Sequence, residues 1–300
     1  MSGNNILILG ATGMLGHTLF YEYARRGYSV QATVRSAENI EKYFPSDVAK
    51  SIVSGIDAGN FETVRRLLHS AGPDIVINCI GIVKQLPEAG DPVASISINA
   101  LFPHKLAAAC REIGSRMIHI STDCVFSGEK GMYTENDRPD ADDLYGRSKL
   151  LGEVDYPNAV TLRTSIIGHE IGSRHGLVEW FLSQEGRVNG YTKAVFSGFP
   201  TIEMARIIAD HVIPDSGLTG LYHVSSPPIS KYDLLREVAE RYGKRIEIEK
   251  SDDLRCDRSL DSGRFRKATG YRPPAWPELV ERMHKHFTEA PHYKQIIERR

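Results

Sequence analysis

The sequence predicts an α/β protein in which a doubly wound parallel sheet is joined to a smaller C-terminal lobe. Short continuous apolar runs alternate with longer amphipathic segments through the first half of the chain. Such runs are typical of strands buried on both faces of a parallel sheet, with helices as right-handed crossovers. We expect residues 1–165 to form the sheet domain, with segments near 195–225 returning to it, and residues 166–300 to form the lobe.

The net charge, the lengths of the apolar runs and the cysteine spacing exclude several classes of protein. Its 300 residues carry a net charge of −1, so whole-molecule attraction to nucleic acid or to an anionic membrane is not expected. No apolar run is long enough for a transmembrane helix, and the N-terminus has no signal-peptide pattern. The cysteines lack metal-type spacing, so we predict a cytoplasmic protein without a bound metal; they are Cys79, Cys110, Cys124 and Cys256.

The first strand and the segment after it predict a Rossmann-type dinucleotide site. Asn5–Leu9 is a buried strand, and the glycine-rich segment Gly10–Gly16 follows it at once, before an amphipathic helix. A glycine-rich turn at a helix N-terminus lets a pyrophosphate approach free backbone N–H groups. The spacing is Gly-x-x-Gly-x-x-Gly, for which a tightly packed turn without a ligand is the alternative.

The ends of the next two strands predict the choice of cofactor. Ser29–Val34 ends in Arg35-Ser36, where NAD sites usually carry an acidic residue. A guanidinium there suits a 2′-phosphate, so NADP (NADPH) is favoured over NAD, with a solvated arginine as the alternative. Ser51–Ile56 ends in Asp57-Ala58, a position that lies beside the adenine in such folds. Asp57 could instead cap the following helix, a role that Asn60 fills better.

Two further strands bring polar residues to the same edge of the sheet. Asp74–Ile80 ends near Gly81, and a long helix over 91–113 leads to the strand Met117–Ile120, which ends in Ser121-Thr122-Asp123. Catalytic groups gather at the carboxyl ends of strands in open parallel sheets. A hydroxyl at that edge can hydrogen-bond a substrate carbonyl, although a capping or turn role is common for such clusters.

The polar loop Gly128–Asp143 leads to a short helix that carries Tyr145 and Lys149. Their four-residue spacing places both side chains on one helix face. We expect the ammonium to lower the pKa of the tyrosine from about 10, so that the phenol can exchange a proton with a substrate oxygen. Taken alone the pair is a weak signal, since a solvated helix face gives the same spacing by chance.

The rest of the chain is less regular and is expected to cover the substrate. Its predicted elements are a sixth strand at Val160–Arg163, a loop at His169–Gly176, a short helix at Leu177–Ser183, a strand at Gly220–Val224, a helix capped by Ser230 and ending near Tyr242, a small strand at Ile246–Ile248, and a last helix from Trp276 to about Phe287.

In this order the motifs resemble those of the extended short-chain dehydrogenases/reductases, over nearly the whole chain. Within that superfamily they are most similar to the dTDP-4-dehydrorhamnose reductase (RmlD-like) branch. The segments that carry the similarity are Gly10–Gly16, Asp57-Ala58, Ser121–Gly128, Tyr145–Glu153, Leu162–Ser165, Gly198–Thr201 and Gly220–His223.

Three differences from the branch all lie where the family holds its sugar: two single positions and one loop. Cys124 stands where tyrosine is usual after Ser-Thr-Asp, and Ile166 stands where the rhamnose-forming enzymes often have tryptophan. The loop Ile82–Pro87 also differs from the usual sequence. The resemblance therefore implies the hydride chemistry of the family and leaves the identity of the sugar open.

The resemblance implies an NADPH-dependent reductase that acts on a keto group of a nucleotide-activated (deoxy)sugar in carbohydrate biosynthesis. Thr122 would hold the carbonyl oxygen, Tyr145 would protonate it, and Lys149 would hold the nicotinamide ribose. Asp123 would bond a sugar hydroxyl. The implied cofactor site comprises Gly10, Thr12, Gly13, Met14, Leu15, Gly16, Arg35, Ser36, Asp57, Ala58, Cys79, Gly81, Tyr145 and Lys149.

The substrate diphosphate is expected to meet two basic residues in loops. Arg174 lies in the glycine-flanked loop Gly172–Gly176 just before a short helix, and Lys84 follows the fourth strand. A helix N-terminus with an adjacent arginine is a reasonable anion site. Solvated loop charges are the alternative for both residues.

Other functions of related proteins stay open at this point. Some relatives are epimerases or dehydratases that recycle the nicotinamide, but a dehydratase needs a second acid or base beside Asp123, and Cys124 is not one. The regulatory (beta) subunit of methionine adenosyltransferase resembles the same branch and acts by binding a partner. The presence of Thr122, Tyr145 and Lys149 together favours catalysis. The sequence is also compatible with a homodimer.

Overall fold

The computed structural model describes residues 4–38, 40–172 and 174–297. The strands in these residues are β1 (Asn5–Leu9), β2 (Ser29–Thr33), β3 (Ile52–Val53), β4 (Ile75–Asn78), β5 (Arg116–Thr122), β6 (Ala159–Thr164), β7 (Ile166–Ile167), β8 (Arg187–Tyr191), β9 (Ala194–Phe196), β10 (Phe199–Pro200), β11 (Gly220–His223), β12 (Ile229–Ser230), β13 (Glu247–Ser251) and β14 (Cys256–Asp257).

The α-helices of the same residues are α1 (Met14–Arg25), α2 (Ile40–Tyr43), α3 (Ser46–Ala49), α4 (Phe61–Ala71), α5 (Pro92–Ser95), α6 (Phe102–Glu112), α7 (Leu144–Leu151), α8 (Leu177–Ser183), α9 (Thr201–Ile207), α10 (Lys231–Tyr242), α11 (Gly263–Thr269), α12 (Trp276–Glu289) and α13 (Lys294–Ile297). Ile96–Leu101 and Ile208–Val212 are π-helical, and Pro87–Gly90, Asp123–Val125 and Pro291–Tyr293 are 3₁₀ turns. No helix in these residues is long and apolar enough to cross a membrane.

Seven strands form the main sheet in the order β11-β6-β5-β4-β1-β2-β3, and every neighbouring pair is parallel. The chain leaves β1 toward β2 and β3 on one side and later continues through β4, β5 and β6 on the other. The carboxyl ends of β1 and β4 therefore flank the crevice at which open parallel sheets bind ligands. The predicted doubly wound fold is confirmed.

Alternate residues of β1 face opposite layers of the core. Ile6 and Ile8 pack in the larger hydrophobic cluster with α1, α9 and α12, whereas Leu7 and Leu9 pack in the second cluster with α4 and α6. Because successive side chains of a strand point to opposite faces, a continuous apolar run serves both layers at once. This explains why the strand is uniformly apolar.

Two strands differ in length from the sequence prediction. The expected strand at 51–56 is reduced to β3, which lies at the sheet edge, pairs only with β2, and is followed by Gly55 with a φ of +77°. In contrast, β5 extends through Thr122, because β6 pairs with it as far as Thr122 and Thr164. Ser121 and Thr122 therefore belong to the strand itself, while Asp123 begins the next turn.

The predicted helix over 91–113 is one continuous helical segment with a π-helical centre. The Asp91 carboxylate caps it by accepting a hydrogen bond from the Val93 N–H at 2.8 Å. The segment Ile96–Leu101 then widens the helix by one residue per turn before α6 begins. Such π segments are frequent at functional sites, and this one carries Asn99.

The second half of the chain builds a lobe that docks on the loop after β5. Within it β11 joins the main sheet, and three small sheets pair as β10-β7, β12-β9-β14 and β13-β8. The Asp257 N–H donates to the Gly128 carbonyl at 2.7 Å, and the Tyr133 N–H donates to the Ser259 carbonyl at 2.9 Å. These bonds hold the lobe beside the end of β5.

Candidate active site

The glycine-rich turn packs so closely between β1 and α1 that a side chain is excluded at Gly16. Gly10 has a φ of +91°, and a Cβ placed on Gly16 would lie 2.0 Å from the Gly10 carbonyl oxygen. Gly13 occupies the N-cap of α1 without a side-chain hydrogen bond. Because glycine has no side chain to cap the helix, the first backbone N–H groups of α1 can donate hydrogen bonds to a pyrophosphate.

The predicted contacts to the adenosine half of the cofactor lie together on the next two strand ends. Arg35 and Ser36 follow β2, Asp57 and Ala58 follow β3, and all but the half-buried Ala58 are exposed. The Ser36 hydroxyl accepts from the Glu38 N–H at 3.0 Å, and the Asp57 carboxylate accepts from the Gly59 N–H at 3.0 Å. Arg35 is therefore the exposed side chain best suited to a phosphate at this edge.

Asn60 occupies the N-cap position of α4 that is expected for it, but its side chain does not cap the helix. The Thr63 hydroxyl instead bonds the Asn60 carbonyl at 2.8 Å and accepts from the Asp57 N–H at 3.1 Å. The Asp57 carboxylate closes its own turn instead of capping the helix.

The end of β4 approaches the predicted reaction centre. The Cys79 N–H donates to the Leu9 carbonyl at 3.1 Å, and burial raises the pKa of the Cys79 thiol to about 12. A Cβ placed on Gly81 would lie 3.9 Å from Lys149 Nζ. The Cys79 thiol therefore stays protonated at neutral pH. The absence of a side chain at Gly81 leaves space next to the Lys149 ammonium.

The structure brings Thr122 and Tyr145 together. Thr122 is the last residue of β5, Tyr145 lies in the first turn of α7, and the Thr122 side chain is close enough to the phenol to act on its pKa. The helix packs directly on the turn after β5, since a Cβ on Gly146 would lie 2.3 Å from the Cys124 carbonyl oxygen. The Asp143 carboxylate caps α7 by accepting from the Gly146 N–H at 2.7 Å. Both hydroxyls therefore sit on regular secondary-structure elements.

Lys149 is buried beside the same strand end. Its Nζ donates to the Ile120 carbonyl at 2.9 Å, and its burial lowers the pKa to about 8, opposed by the nearby Glu153 carboxylate. An ammonium in this place keeps further N–H donors for a ligand, because one carbonyl satisfies only one of the three.

The expected lowering of the Tyr145 pKa is wrong for this structure. Burial raises the pKa of the phenol, and the neighbouring Cys124, Asp123 and Asp143 add to the increase, while the Thr122 side chain opposes it. Removal from water disfavours the phenolate more than its surroundings stabilise it. Tyr145 is accordingly a phenol that keeps its proton, the form required of a general acid.

Asp123 lies directly beside the two hydroxyls. It is buried, and its carboxylate accepts from the Thr122 hydroxyl at 3.2 Å. Burial raises the pKa of Asp123, while Arg258 and the hydrogen bonds from Cys124 and Thr122 lower it. The cysteine next to it is not a second acid or base, because burial raises the pKa of the Cys124 thiol to about 12.

Asn99 supports the site and was missed by the sequence analysis. Its Oδ1 accepts from the Ile82 N–H at 2.9 Å, while its Nδ2 donates to the Ile82 carbonyl at 3.0 Å and to the Ser148 hydroxyl at 3.3 Å. It thereby ties the loop after β4 to α7. Asn99 is not part of any sequence motif considered above. It lies in the π-helical segment Ile96–Leu101, which positions its side chain beside the loop after β4.

The two predicted diphosphate contacts lie in different parts of the site. Lys84 Nζ forms an ion pair with the Asp143 carboxylate at 2.7 Å, at the N-terminus of α7. Arg174 is exposed, in the segment that leads to Gly176, where an added Cβ would lie 2.7 Å from Met14 Cε. Ser173 of the same loop lies outside the described residues. Lys84 is thus on the side of Tyr145, and the Arg174 loop packs on the glycine-rich turn.

A metal centre is not evident in the part of the chain that the structure describes, where no group of three or more His, Cys, Asp or Glu side chains is arranged to hold an ion.

The sequence and the fold both match known proteins. The model of the family described as RmlD substrate binding domain matches residues 4–289. "Probable low-salt glycan biosynthesis reductase Agl14" of Haloferax volcanii is 31% identical over 230 residues, 73% of each chain. "Methionine adenosyltransferase 2 subunit beta" of Danio rerio is 27% identical over 251 residues, 79% of this chain and 73% of that one.

Among solved structures, dTDP-4-dehydrorhamnose reductase from Bacillus anthracis in complex with NADP superimposes with a TM-score of 0.77 at 21% identity, covering 94% of this chain and 98% of that chain. At this identity the likeness establishes the fold. The family match spans almost all of the described residues, and the expected resemblance is confirmed: the chain belongs to the RmlD substrate-binding-domain family.

Proposed function

We propose that the protein is an NADPH-dependent reductase of a keto group on a nucleotide-activated sugar, as in dTDP-4-dehydrorhamnose reductases. The observation that carries this proposal is that Thr122, Tyr145 and Lys149 come together at the carboxyl end of β5, at the same sheet edge as the glycine-rich turn after β1. Membership of the family and the reductase names among its relatives support the same chemistry.

The residues around the crevice fit a dinucleotide. The turn Gly10–Gly16 leaves no room for a side chain at Gly16 and presents the N-terminus of α1 to a pyrophosphate. Arg35 would bind the 2′-phosphate that distinguishes NADP from NAD. The remaining cofactor contacts predicted from the sequence stay part of the proposal; they are Thr12, Met14, Leu15, Ser36, Asp57, Ala58, Cys79, Gly81, Tyr145 and Lys149.

The side chains of the chain would orient the carbonyl and supply its proton. A reduced nicotinamide, when bound, provides the hydride for the carbonyl carbon. Thr122 would position the carbonyl oxygen, and the Tyr145 phenol would give the developing alkoxide its proton. Lys149 would hold the ribose hydroxyls, which its remaining N–H donors allow. The raised pKa of Tyr145 keeps the proton in place until the substrate oxygen takes it.

Substrate contacts follow from the same geometry. Asp123 would accept a hydrogen bond from a sugar hydroxyl, and Lys84 and Arg174 would meet the diphosphate. Since diphosphate contacts exist in both the ground state and the transition state, Lys84→Ala and Arg174→Ala should raise KM for the sugar nucleotide and leave KM for NADPH unchanged. An unchanged sugar-nucleotide KM in both variants would place the diphosphate elsewhere.

The direct test is NADPH consumption with a panel of nucleotide-activated keto-sugars, followed by absorbance, with Tyr145→Phe as the inactive control. Turnover that depends on Tyr145 is the expected result. A wild-type protein that binds NADPH and turns over no member of the panel would contradict the proposal.

A partner-binding role is the second candidate, because a methionine adenosyltransferase 2 subunit beta is among the relatives of similar identity. Co-purification of this chain with a catalytic methionine adenosyltransferase, together with absence of keto-sugar turnover, would favour that role. The homodimer and the cytoplasmic location expected from the sequence stay predictions.

A further inference from the structure

Two cations lie beside the reaction centre and have no role in the mechanism above. Lys231 is the first residue of α10, directly after β12, and Arg258 directly follows β14. Both strands pair with β9, so the small sheet carries the two side chains to the loop after Thr122. Both residues are half-buried.

The Arg258 guanidinium is fixed without a carboxylate partner. Its Nε donates to the Phe126 carbonyl at 2.8 Å, and its Nη1 lies 3.9 Å from the Cys124 sulfur. Cys124 in turn bonds Thr122 through its backbone N–H at 3.1 Å. The guanidinium is thus held close to the hydroxyl that would hold the substrate carbonyl, and its other N–H groups have no hydrogen-bond acceptor among the described residues.

Lys231, at the start of α10, shares its electrostatic neighbours Asp123, Cys124 and Cys256 with Arg258. The Lys231 Nζ lies 5.1 Å from the centre of the Phe196 ring. Burial lowers the pKa of Lys231, and Asp123 opposes that decrease. Among the residues that the structure describes, neither Lys231 nor Arg258 has a carboxylate within ion-pair distance.

The single carboxylate of Asp123 does not neutralise both Lys231 and Arg258. Asp123 is a single carboxylate, it already accepts from the Thr122 hydroxyl, and burial raises its pKa in spite of both cations. The other acids that act on Arg258 have closer partners. Asp140 accepts from Ser127 at 2.7 Å, and Asp143 pairs with Lys84 at 2.7 Å.

We propose that Lys231 and Arg258 form a subsite for an oxyanion of the substrate, next to the carbonyl that Thr122 holds. The inference rests on the proposed function and specifies its substrate class. Half-buried cations without an ion-pair partner are costly, and an oxyanion supplied by the ligand offsets that cost. A guanidinium and an ammonium at one point bind a carboxylate or a phosphate through charge-assisted hydrogen bonds. The oxyanion is either a carboxylate on the sugar ring or the diphosphate.

Equilibrium binding tests the subsite independently of turnover. The Kd values of UDP-glucose, UDP-glucuronate, dTDP-glucose and UDP are measured by calorimetry on protein saturated with NADP⁺, for wild type, Lys231→Met and Arg258→Met. Methionine keeps an apolar stem of similar length while removing the charge. We expect each variant to weaken binding of at least one of these ligands by about ten-fold or more, with the Kd of NADP⁺ unchanged.

Matched controls exist in the same lobe. Lys250 Nζ lies 5.1 Å from the Tyr232 ring on an exposed strand, and the Arg264 guanidinium lies 4.7 Å from the Tyr222 ring. Lys250→Met and Arg264→Met therefore remove a cation from an aromatic ring without touching the proposed subsite, and should leave every Kd unchanged. Thermal unfolding of all four variants checks that they fold.

The outcomes distinguish a sugar carboxylate from the diphosphate as the bound oxyanion. They also distinguish failure of the subsite from failure of the proposed substrate class. A larger loss for UDP-glucuronate than for UDP-glucose supports a carboxylate, and equal losses for all four ligands support the diphosphate. Folded variants that bind every ligand as the wild type does would overturn the subsite alone. A wild type that binds NADP⁺ and none of the four ligands would overturn the subsite and the proposed substrate class together.

Discussion

His17 in the first turns of α1 and Tyr293 near the end of the chain are joined by a hydrogen bond of 2.6 Å between Nε2 and the phenolic oxygen. The other ring nitrogen, Nδ1, lies 2.8 Å from the carbonyl oxygen of Gly13 in the glycine-rich turn. Because a carbonyl only accepts, Nδ1 carries the hydrogen and Nε2 accepts from the Tyr293 hydroxyl. The C-terminal segment is therefore linked to the cofactor turn through one neutral imidazole.

The histidines around this link, His17, His286 and His292, predict that the folded protein loses stability in acid. Burial lowers the pKa of His17 to about 3 and that of His286 to about 4, and holds that of His292 well below its usual value. The unfolded chain takes up these protons below about pH 6.5 and the folded chain does not, so stability falls as the pH drops from about 6.5 toward 4. Each such histidine should cost about 2 kcal/mol at pH 5 relative to pH 7.5.

The measurement is urea unfolding of the wild type and of His286→Met at pH 7.5 and pH 5. The variant should show a smaller loss between the two pH values, because one titrating ring is gone. An identical loss in both proteins would show that His286 does not contribute to the acid sensitivity.

Tyr145→Phe should keep the fold and NADPH binding while losing most turnover. The substitution removes the proton donor but keeps the ring that packs beside Thr122, and general acids typically contribute about 10²–10⁴-fold to rate. Steady-state rates and an NADPH titration give the two readings. Comparable rates for the two proteins would remove Tyr145 from the chemistry.

Arg35→Ala should weaken NADPH far more than NADH. The loss is a charge-assisted contact with the 2′-phosphate, about 1.5–3 kcal/mol, and NADH has no phosphate to lose. Kd values for both cofactors are compared with those of Arg66→Ala, whose side chain is 70% exposed on α4. Equal losses for NADPH and NADH would mean that Arg35 does not read the phosphate.

Gly16→Ala should destabilise the unliganded protein, whereas Gly13→Ala should not. A Cβ on Gly16 meets the Gly10 carbonyl oxygen at 2.0 Å, and neither backbone can move without breaking the turn, whereas a Cβ on Gly13 meets the same oxygen at an ordinary 3.4 Å. Thermal unfolding without cofactor distinguishes the two. Equal midpoints would show that the turn adjusts to the methyl group.

Some of the site could be predicted because its signals are local. Strand, glycine-rich turn and helix are adjacent in sequence, and the Tyr145–Lys149 spacing lies within one helix, so each was located from a short window. The order of apolar runs also predicted the parallel sheet, since burial on both faces requires a continuous apolar strand.

Other features depend on contacts between distant segments. The Tyr145 pKa was predicted in the wrong direction. Helical spacing shows which residues share a helix face, but it does not show how much water the fold removes from the phenol. Asn99 was missed because its partners Ile82 and Ser148 come from a loop and a helix far from it in sequence.

The sequence by itself determined the parallel sheet, and it predicted the glycine-rich turn and Thr122, Tyr145 and Lys149 as site residues, because each of these signals lies within a few residues. Only the tertiary structure decided that Lys231 and Arg258 face Asp123 from a small sheet of the second lobe. The physical reason is that charge and desolvation act through space, so a cation's role depends on which segments the fold packs around it.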